Sequence, residues 1–113
     1  MQIINWMALS EEAKAACRTM TAAKDPDIDT ECAFAVLEGA AVKAYGYFAP
    51  AEEKRTFCLR AFVAEAAGAE LLAAMENVAR ARGGLKMTVL PGVDAASVLV
   101  SAGYEGEPKA KML

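Results

Sequence analysis

Thr56-Phe57-Cys58-Leu59-Arg60-Ala61-Phe62-Val63 is followed by Ala64-Glu65-Ala66-Ala67-Gly68 and then by an amphipathic run carrying Leu71, Leu72, Met75, Val78, Ala79 and Arg82. The first segment predicts a strand and the second a turn of small residues. The third predicts a helix that Gly83-Gly84 brings to a stop. A strand that feeds a helix through small residues leaves backbone N–H groups unpaired at the helix start. Those donors and the helix dipole suit a phosphate. A cofactor with a pyrophosphate is therefore the ligand this segment points to. Gly68 and the amides of Ala64, Glu65, Ala66, Ala67 and Ala69 are its candidate cradle. A plain helix start packed on a sheet has the same outline, because strand-turn-helix units occur in every α/β protein.

Working outward, Lys86 to Leu90 predicts the next strand, which Pro91-Gly92 breaks. Asp94 is the expected cap of a short helix ending at Gly103, with Tyr104 as an aromatic stop. On the other side, Gln2 to Trp6 predicts a first strand. Ser10 is an N-cap ahead of Glu11 and Glu12, and Ala13, Ala16, Cys17 and Met20 share a helical face that ends at Lys24-Asp25-Pro26. Cys32 to Glu38 predicts a strand with Phe34 and Val36 on one face. Gly39-Ala40 makes a hairpin turn, and Val42 to Phe48 returns. Pro50 to Arg55 is a second turn, and Lys109 to Leu113 is a last strand after Pro108. The order βα-βββ-αβ-αβ is a mixed α/β sheet in one domain, residues 1–113.

Bulk composition excludes several classes. Of 113 residues, 24% are charged and 56% hydrophobic, so the chain has material for a core and is not disordered. Net charge is −3 and no basic run exceeds two residues, as at Lys54-Arg55, which argues against nonspecific nucleic-acid binding. Nothing approaches the roughly 18 apolar residues of a membrane span. No basic region followed by an apolar core marks a leader. Cys17, Cys32 and Cys58 are odd in number and widely spaced, and the chain has no histidine. No metal site is expected, and reduced thiols in a cytoplasmic protein are the default. Ser-His and Cys-His nucleophilic machinery is excluded as well.

The segment from residue 32 to 113 resembles the acyl-CoA-binding half of the GNAT superfamily of N-acyltransferases. The family pattern is a strand, then Q/R-x-x-G-x-G/A, then a helix with a Leu-Leu pair. Registered on Leu71-Leu72, Val63-Ala64-Glu65-Ala66-Ala67-Gly68 falls on that motif. Gly68 matches the final small position, Ala66 stands at the first Gly, and Val63 replaces Gln/Arg. Residues 79–89 are similar to the family's helix end and fifth strand. Ala95-Ala96-Ser97-Val98-Leu99-Val100-Ser101-Ala102-Gly103-Tyr104 resembles its "A-A-x-x-x-Y-x-x-x-G-F" helix, with Leu99 in place of the Tyr that often serves as general acid.

The resemblance implies a GNAT-like fold and acetyl transfer from acetyl-CoA to an amine, borne by a small molecule or a protein. The strands around Leu59, Ala61, Phe62 and Val63 would hold the pantetheine, and backbone N–H groups would polarise the thioester. With Leu99 in the acid's place, Tyr45, Tyr47, Tyr104 or water is left to protonate the thiolate. Tyr47 and Tyr45 share a strand face with Lys43, opposite Val42, Ala44, Gly46 and Phe48. Burial of that face under the first helix is the competing reading. Glu65 and Glu70 are candidate bases that also suit a helix start. Arg60, on a face with Cys58 and Phe62, suits an acceptor carboxylate or a cofactor phosphate. Cys58, without a histidine partner, is expected to be inert. A degenerate domain that binds CoA or a protein without turnover is the alternative, supported by Val63, Ala66 and Leu99. A sheet ending after its sixth strand leaves an edge, with Met112 and Leu113 apolar, and predicts a homodimer; Lys109 and Lys111 guarding a monomeric edge is the opposite expectation.

Overall fold

The computed structural model describes residues 1–21, 25–93 and 95–113, with Ala96 described in its backbone alone. The elements are β1 (Gln2–Asn5), α1 (Glu11–Thr21), β2 (Cys32–Glu38), β3 (Ala41–Pro50), β4 (Thr56–Ala64), α2 (Gly68–Ala81), β5 (Lys86–Val89), α3 (Ala96–Ser101) and β6 (Ala110–Met112). They form one six-stranded sheet in chain order. Every neighbouring pair is antiparallel except β4 and β5, which run parallel because α2 carries the chain back across the sheet. The fold is the mixed α/β arrangement expected from the sequence.

The local signals act as expected at most ends. Ser10 Oγ accepts the Ala13 N–H at 3.1 Å, capping α1 above Glu11 and Glu12. Gly39, at φ +62°, and Ala40 close the two-residue hairpin between Glu38 and Ala41. Gly83 at φ +86° turns the chain out of α2. Trp6 departs from the expected first strand. It opens a 3-10 turn (Trp6–Ala8), in which the Met7 N–H donates to Asn5 Oδ1 at 3.0 Å, and its ring is buried. Asp94 and Lys24, the expected cap and stop, lie outside the described residues.

Two cores sandwich the sheet. On one face α1 brings Ala13 and Cys17 onto Trp6, Leu9, Tyr45 and Ala61. On the other, α2 lays Leu71, Leu72, Met75 and Ala79 on Phe48, Phe57, Leu59, Phe62 and Met87, and α3 adds Leu99. Burial of side chains this size contributes about 1.5–3 kcal/mol each.

Two bulges decide which residue faces which core. Val36 pairs with Ala44 but Leu37 pairs with Val42, so Lys43 is an extra residue in β3. Val42 therefore packs on the α1 side, not with Ala44 and Phe48 as strict alternation predicts. Tyr47 pairs with Ala61 but Phe48 pairs with Leu59, so Arg60 is the extra residue in β4. Phe62 is thereby turned onto the α2 side beside Leu59, away from the face it was expected to share with Cys58 and Arg60.

Candidate functional site

The bulge at Arg60 sits where the sheet opens. β4 and β5 are in register only from Thr56–Lys86 to Leu59–Val89. The last bond across the pair is Leu90 N–H to Leu59 C=O at 2.9 Å. β4 then continues through Arg60–Ala64 with no β5 residue opposite, because Pro91-Gly92 turns β5 away. A cleft of about 450 Å³ fills the gap, lined by Arg60, Ala61, Phe62 and Val63 from β4, Leu90 to Val93 after β5, and Met20 and Thr21 from the end of α1. A strand that leaves its ladder presents backbone donors and acceptors to whatever enters.

Gly68 begins α2 at the far end of β4. The first N–H in the helical ladder is that of Leu71, given to Ala67 C=O at 3.0 Å. The N–H groups of Gly68, Ala69 and Glu70 precede the ladder, and Ala67 supplies no side-chain cap. The other end of the expected cradle is already committed. Glu65 and Ala66 both donate their N–H to the carbonyl of the bulged Lys43, at 2.8 and 3.3 Å. The donors open to an anion thus narrow to Ala67 through Glu70. The left-handed residue of the turn is Ala67, at φ +59°, rather than Ala66. Gly68 lacks a side chain for a packing reason. A Cβ there would lie 2.9 Å from Ala64 Cβ and 3.3 Å from Val98 Cγ2. Its neighbours are β4 and α3, not the open side of the turn.

The expected catalytic side chains scatter. Tyr104 is buried, and its hydroxyl donates to Glu76 Oε2 at 2.9 Å. Burial, then the Glu76 carboxylate, pushes its pKa far up. Leu99 is 1% exposed in the α2-side core. Neither residue lines the cleft. Glu65 is exposed beyond the end of β4, as is Glu70 in the first turn of α2. Tyr45 is buried against Trp6, with ring centroids 5.5 Å apart, and burial raises its pKa strongly. Tyr47 is half-buried one strand away, opposite Ala61 of the cleft. Its pKa is raised by burial and then by the Glu31 carboxylate, which keeps the phenol protonated at neutral pH.

Leu59 lies in the core behind the cleft, while Ala61, Phe62 and Val63 form its wall and Ala64 and Ala69 flank Gly68. Cys58 is half-buried on β4 beside Thr88.

Four residues escaped sequence reading. Glu31 places its side chain 8% exposed beside Arg60, with Oε1 3.3 Å from the guanidinium and Oε2 accepting the Asp27 N–H at 3.1 Å. Met20 and Thr21 join the cleft from a helix 40 residues upstream of the strand they face. No local pattern announces such a meeting. Glu76 is the fourth, a carboxylate on the buried side of α2 that also holds Lys111 Nζ at 3.1 Å. Lys111 is thus turned inward and does not guard the β6 edge. Among the described residues no cluster of side chains has metal-ligand geometry, and no helix is long and apolar enough to cross a membrane.

No protein-family model and no curated protein matches the chain. Solved structures do. The aminoglycoside 6'-N-acetyltransferase from Enterococcus faecium superposes with a TM-score of 0.72 at 14% identity, over 99% of this chain and 97% of that one. An IAA acetyltransferase from Bacillus cereus gives 0.69 at 13% identity, over 92% and 76%. An E. coli protein solved in solution bound to coenzyme A gives 0.64 at 12%, over 98% and 96%. With its parted fourth and fifth strands, the chain has the fold of the GNAT superfamily of acyl-CoA N-acyltransferases.

Proposed function

We propose that this chain is an N-acyltransferase that moves an acetyl group from acetyl-CoA to an amine. The observation that carries the reading is the parting of β4 from β5 beyond Leu59, with an open cleft behind it and unladdered amides at the start of α2. In this reading the pantetheine extends along Ala61, Phe62 and Val63 as an added strand would, its amides bonding to the β4 backbone. The pyrophosphate lies against the N–H groups of Ala67 to Glu70, where donors and helix dipole both favour negative charge.

The neutral amine attacks the thioester carbonyl. The C–N bond forms, the C–S bond breaks, the amine proton leaves to water or a carboxylate, and the thiolate takes up a proton. A thiol with a pKa of about 8.5 needs little help in that last step near neutral pH. Tyr47, protonated and beside the cleft wall, is the side chain best placed to give it. Glu65 serves as base only through water, being exposed beyond the strand.

A second reading has its own support. Among the described lining residues there is no tyrosine, cysteine or carboxylate, and Val63, Ala66 and Leu99 depart from the family's motifs. In that reading the domain holds CoA, or a protein partner, without turnover. Calorimetry with acetyl-CoA, followed by thiol release in the presence of amines, separates the two. Binding with release supports the enzyme, and binding without release supports the second reading. No binding refutes the first outright. Assembly as a homodimer through the β6 edge, where Met112 is 70% exposed, is part of the proposal and is tested by light scattering.

A further inference from the structure

We infer that the acceptor of this cleft is a small amine that also carries a carboxylate, and that Arg60 is the residue that selects it. The inference deepens the proposed acyl transfer and rests on it. Arg60 is the one charged side chain among the described residues lining the cleft. Around it the walls are Met20, Leu90, Pro91 and Val93, and Thr21 is the other polar side chain among the described lining residues. The bulge explains why it is there. As the extra residue of β4, Arg60 has no β3 partner.

Its guanidinium is also held in place. Glu31 accepts from one nitrogen at 3.3 Å, and Glu31 is itself fixed by the Asp27 N–H. A guanidinium has five N–H donors, so this one contact leaves an edge of the fork for a bidentate carboxylate. Arg60 remains 46% exposed while its partner is nearly buried, so the rest of the fork stays accessible on a side chain that lines the cleft. Glu31 acts through Arg60 and is a positioning residue.

Position along the strand separates an acceptor carboxylate from a cofactor phosphate. From Arg60 to Ala64 at the end of β4 is four residues, roughly 13 Å of strand. The amides that suit the pyrophosphate lie beyond that, at Ala67 to Glu70. Arg60 therefore stands at the closed end of the cleft, where the thioester and the incoming amine meet. The chain's net charge of −3 gives an anion no general attraction, so capture of one depends on this local group.

The test compares L-phenylalanine with phenethylamine, and L-leucine with isoamylamine, each pair differing by the carboxylate. The full chain is assayed with acetyl-CoA, whose binding is measured separately by calorimetry. The acids are expected to have at least tenfold higher kcat/KM than the amines. Arg60→Gln should raise KM for the acids by tenfold to a hundredfold, leaving kcat, the amines and acetyl-CoA affinity within about twofold. Arg60→Lys should recover part of the loss. An Arg60→Gln/Glu31→Gln double variant removes the stranded carboxylate and keeps the comparison sound if the single variant folds poorly. Equal or better turnover of the amines, no turnover of either acid, or a uniform loss with every acceptor overturns the inference while leaving acyl transfer standing. Absence of acetyl-CoA binding overturns the transferase reading first, and the inference falls with it.

Discussion

Tyr104→Phe separates a structural tyrosine from a catalytic one. The hydroxyl of Tyr104 donates to Glu76 Oε2 at 2.9 Å, and both residues are almost wholly buried, at 2% and 4% exposed. Replacement by Phe keeps the ring, so no cavity opens in the core formed with Leu99, Met75 and Met87. What is lost is one hydrogen bond to a carboxylate in a water-poor site, worth about 1.5–3 kcal/mol. Lys111 still holds the other oxygen of Glu76 at 3.1 Å, which limits the damage to that single bond. The expected loss is therefore about 2 kcal/mol. For a domain of this size that lowers Tm by roughly 8 °C. Urea denaturation should show a lower midpoint with an unchanged slope, since the surface exposed on unfolding is the same. Turnover with acetyl-CoA should stay within about twofold, because Tyr104 does not line the cleft. A hundredfold fall in kcat with an unmoved denaturation midpoint would refute this reasoning and restore Tyr104 as the acid.

Ala67→Gly should raise stability by about 0.5–1 kcal/mol in urea, since Ala67 holds φ +59° and glycine adopts that conformation without the Cβ clash. Gly68→Ala should cost about 1–3 kcal/mol, because its Cβ would stand 2.9 Å from Ala64, and Val98→Ala should relieve part of that loss in the double variant. Stability should also decline in alkali. Burial raises the Cys17 thiol from 9.0 to about 11, so the fold favours its protonated form; this contribution is complete below pH 9 and is lost as pH climbs to 11, by up to about 3 kcal/mol. Denaturation of Cys17→Ala from pH 8 to 10 should show a flatter limb than the parent. Above pH 10 both should fall, as Tyr45 and Tyr104 are displaced in the same direction.

The order of elements and most of their ends were legible because their causes are local. Ser10, Gly39, Gly83 and the paired leucines of α2 each act within a few residues of themselves. The spacing of apolar residues in β4 held more than strict alternation draws from it. Phe57, Leu59, Phe62 and Ala64 share the α2-side core, and the break in their period marks the bulge at Arg60. That bulge places Arg60 in the cleft. The roles of Glu31, Glu76 and Lys111 were not legible. Each depends on a partner 28 to 35 residues away, and a carboxylate on a helix looks the same in sequence whether it meets water or a buried tyrosine. The turn before α2 divides the same way. Its small residues announce a helix start, but the loss of the Glu65 and Ala66 amides to Lys43 depends on a bulge in another strand.

The most direct test of the account is an amide-resolved NMR titration of the labelled chain with acetyl-CoA. The largest shifts are expected at Ala61 to Val63, at Leu90, Gly92 and Val93, and at Ala67 to Glu70, tracing one path from the closed end of the cleft to the start of α2. The amides of Glu65 and Ala66, already bonded to Lys43, should move less than those of Ala67 to Glu70. A second groove of about 460 Å³ between α2 and α3 shares Ala69 with this path, and the amides of Ala73, Ser97 and Ser101 on its remaining walls serve as the internal control. Shifts concentrated there, or no saturable shifts at millimolar acetyl-CoA, would contradict the claim that the parted strands form the acyl-CoA site.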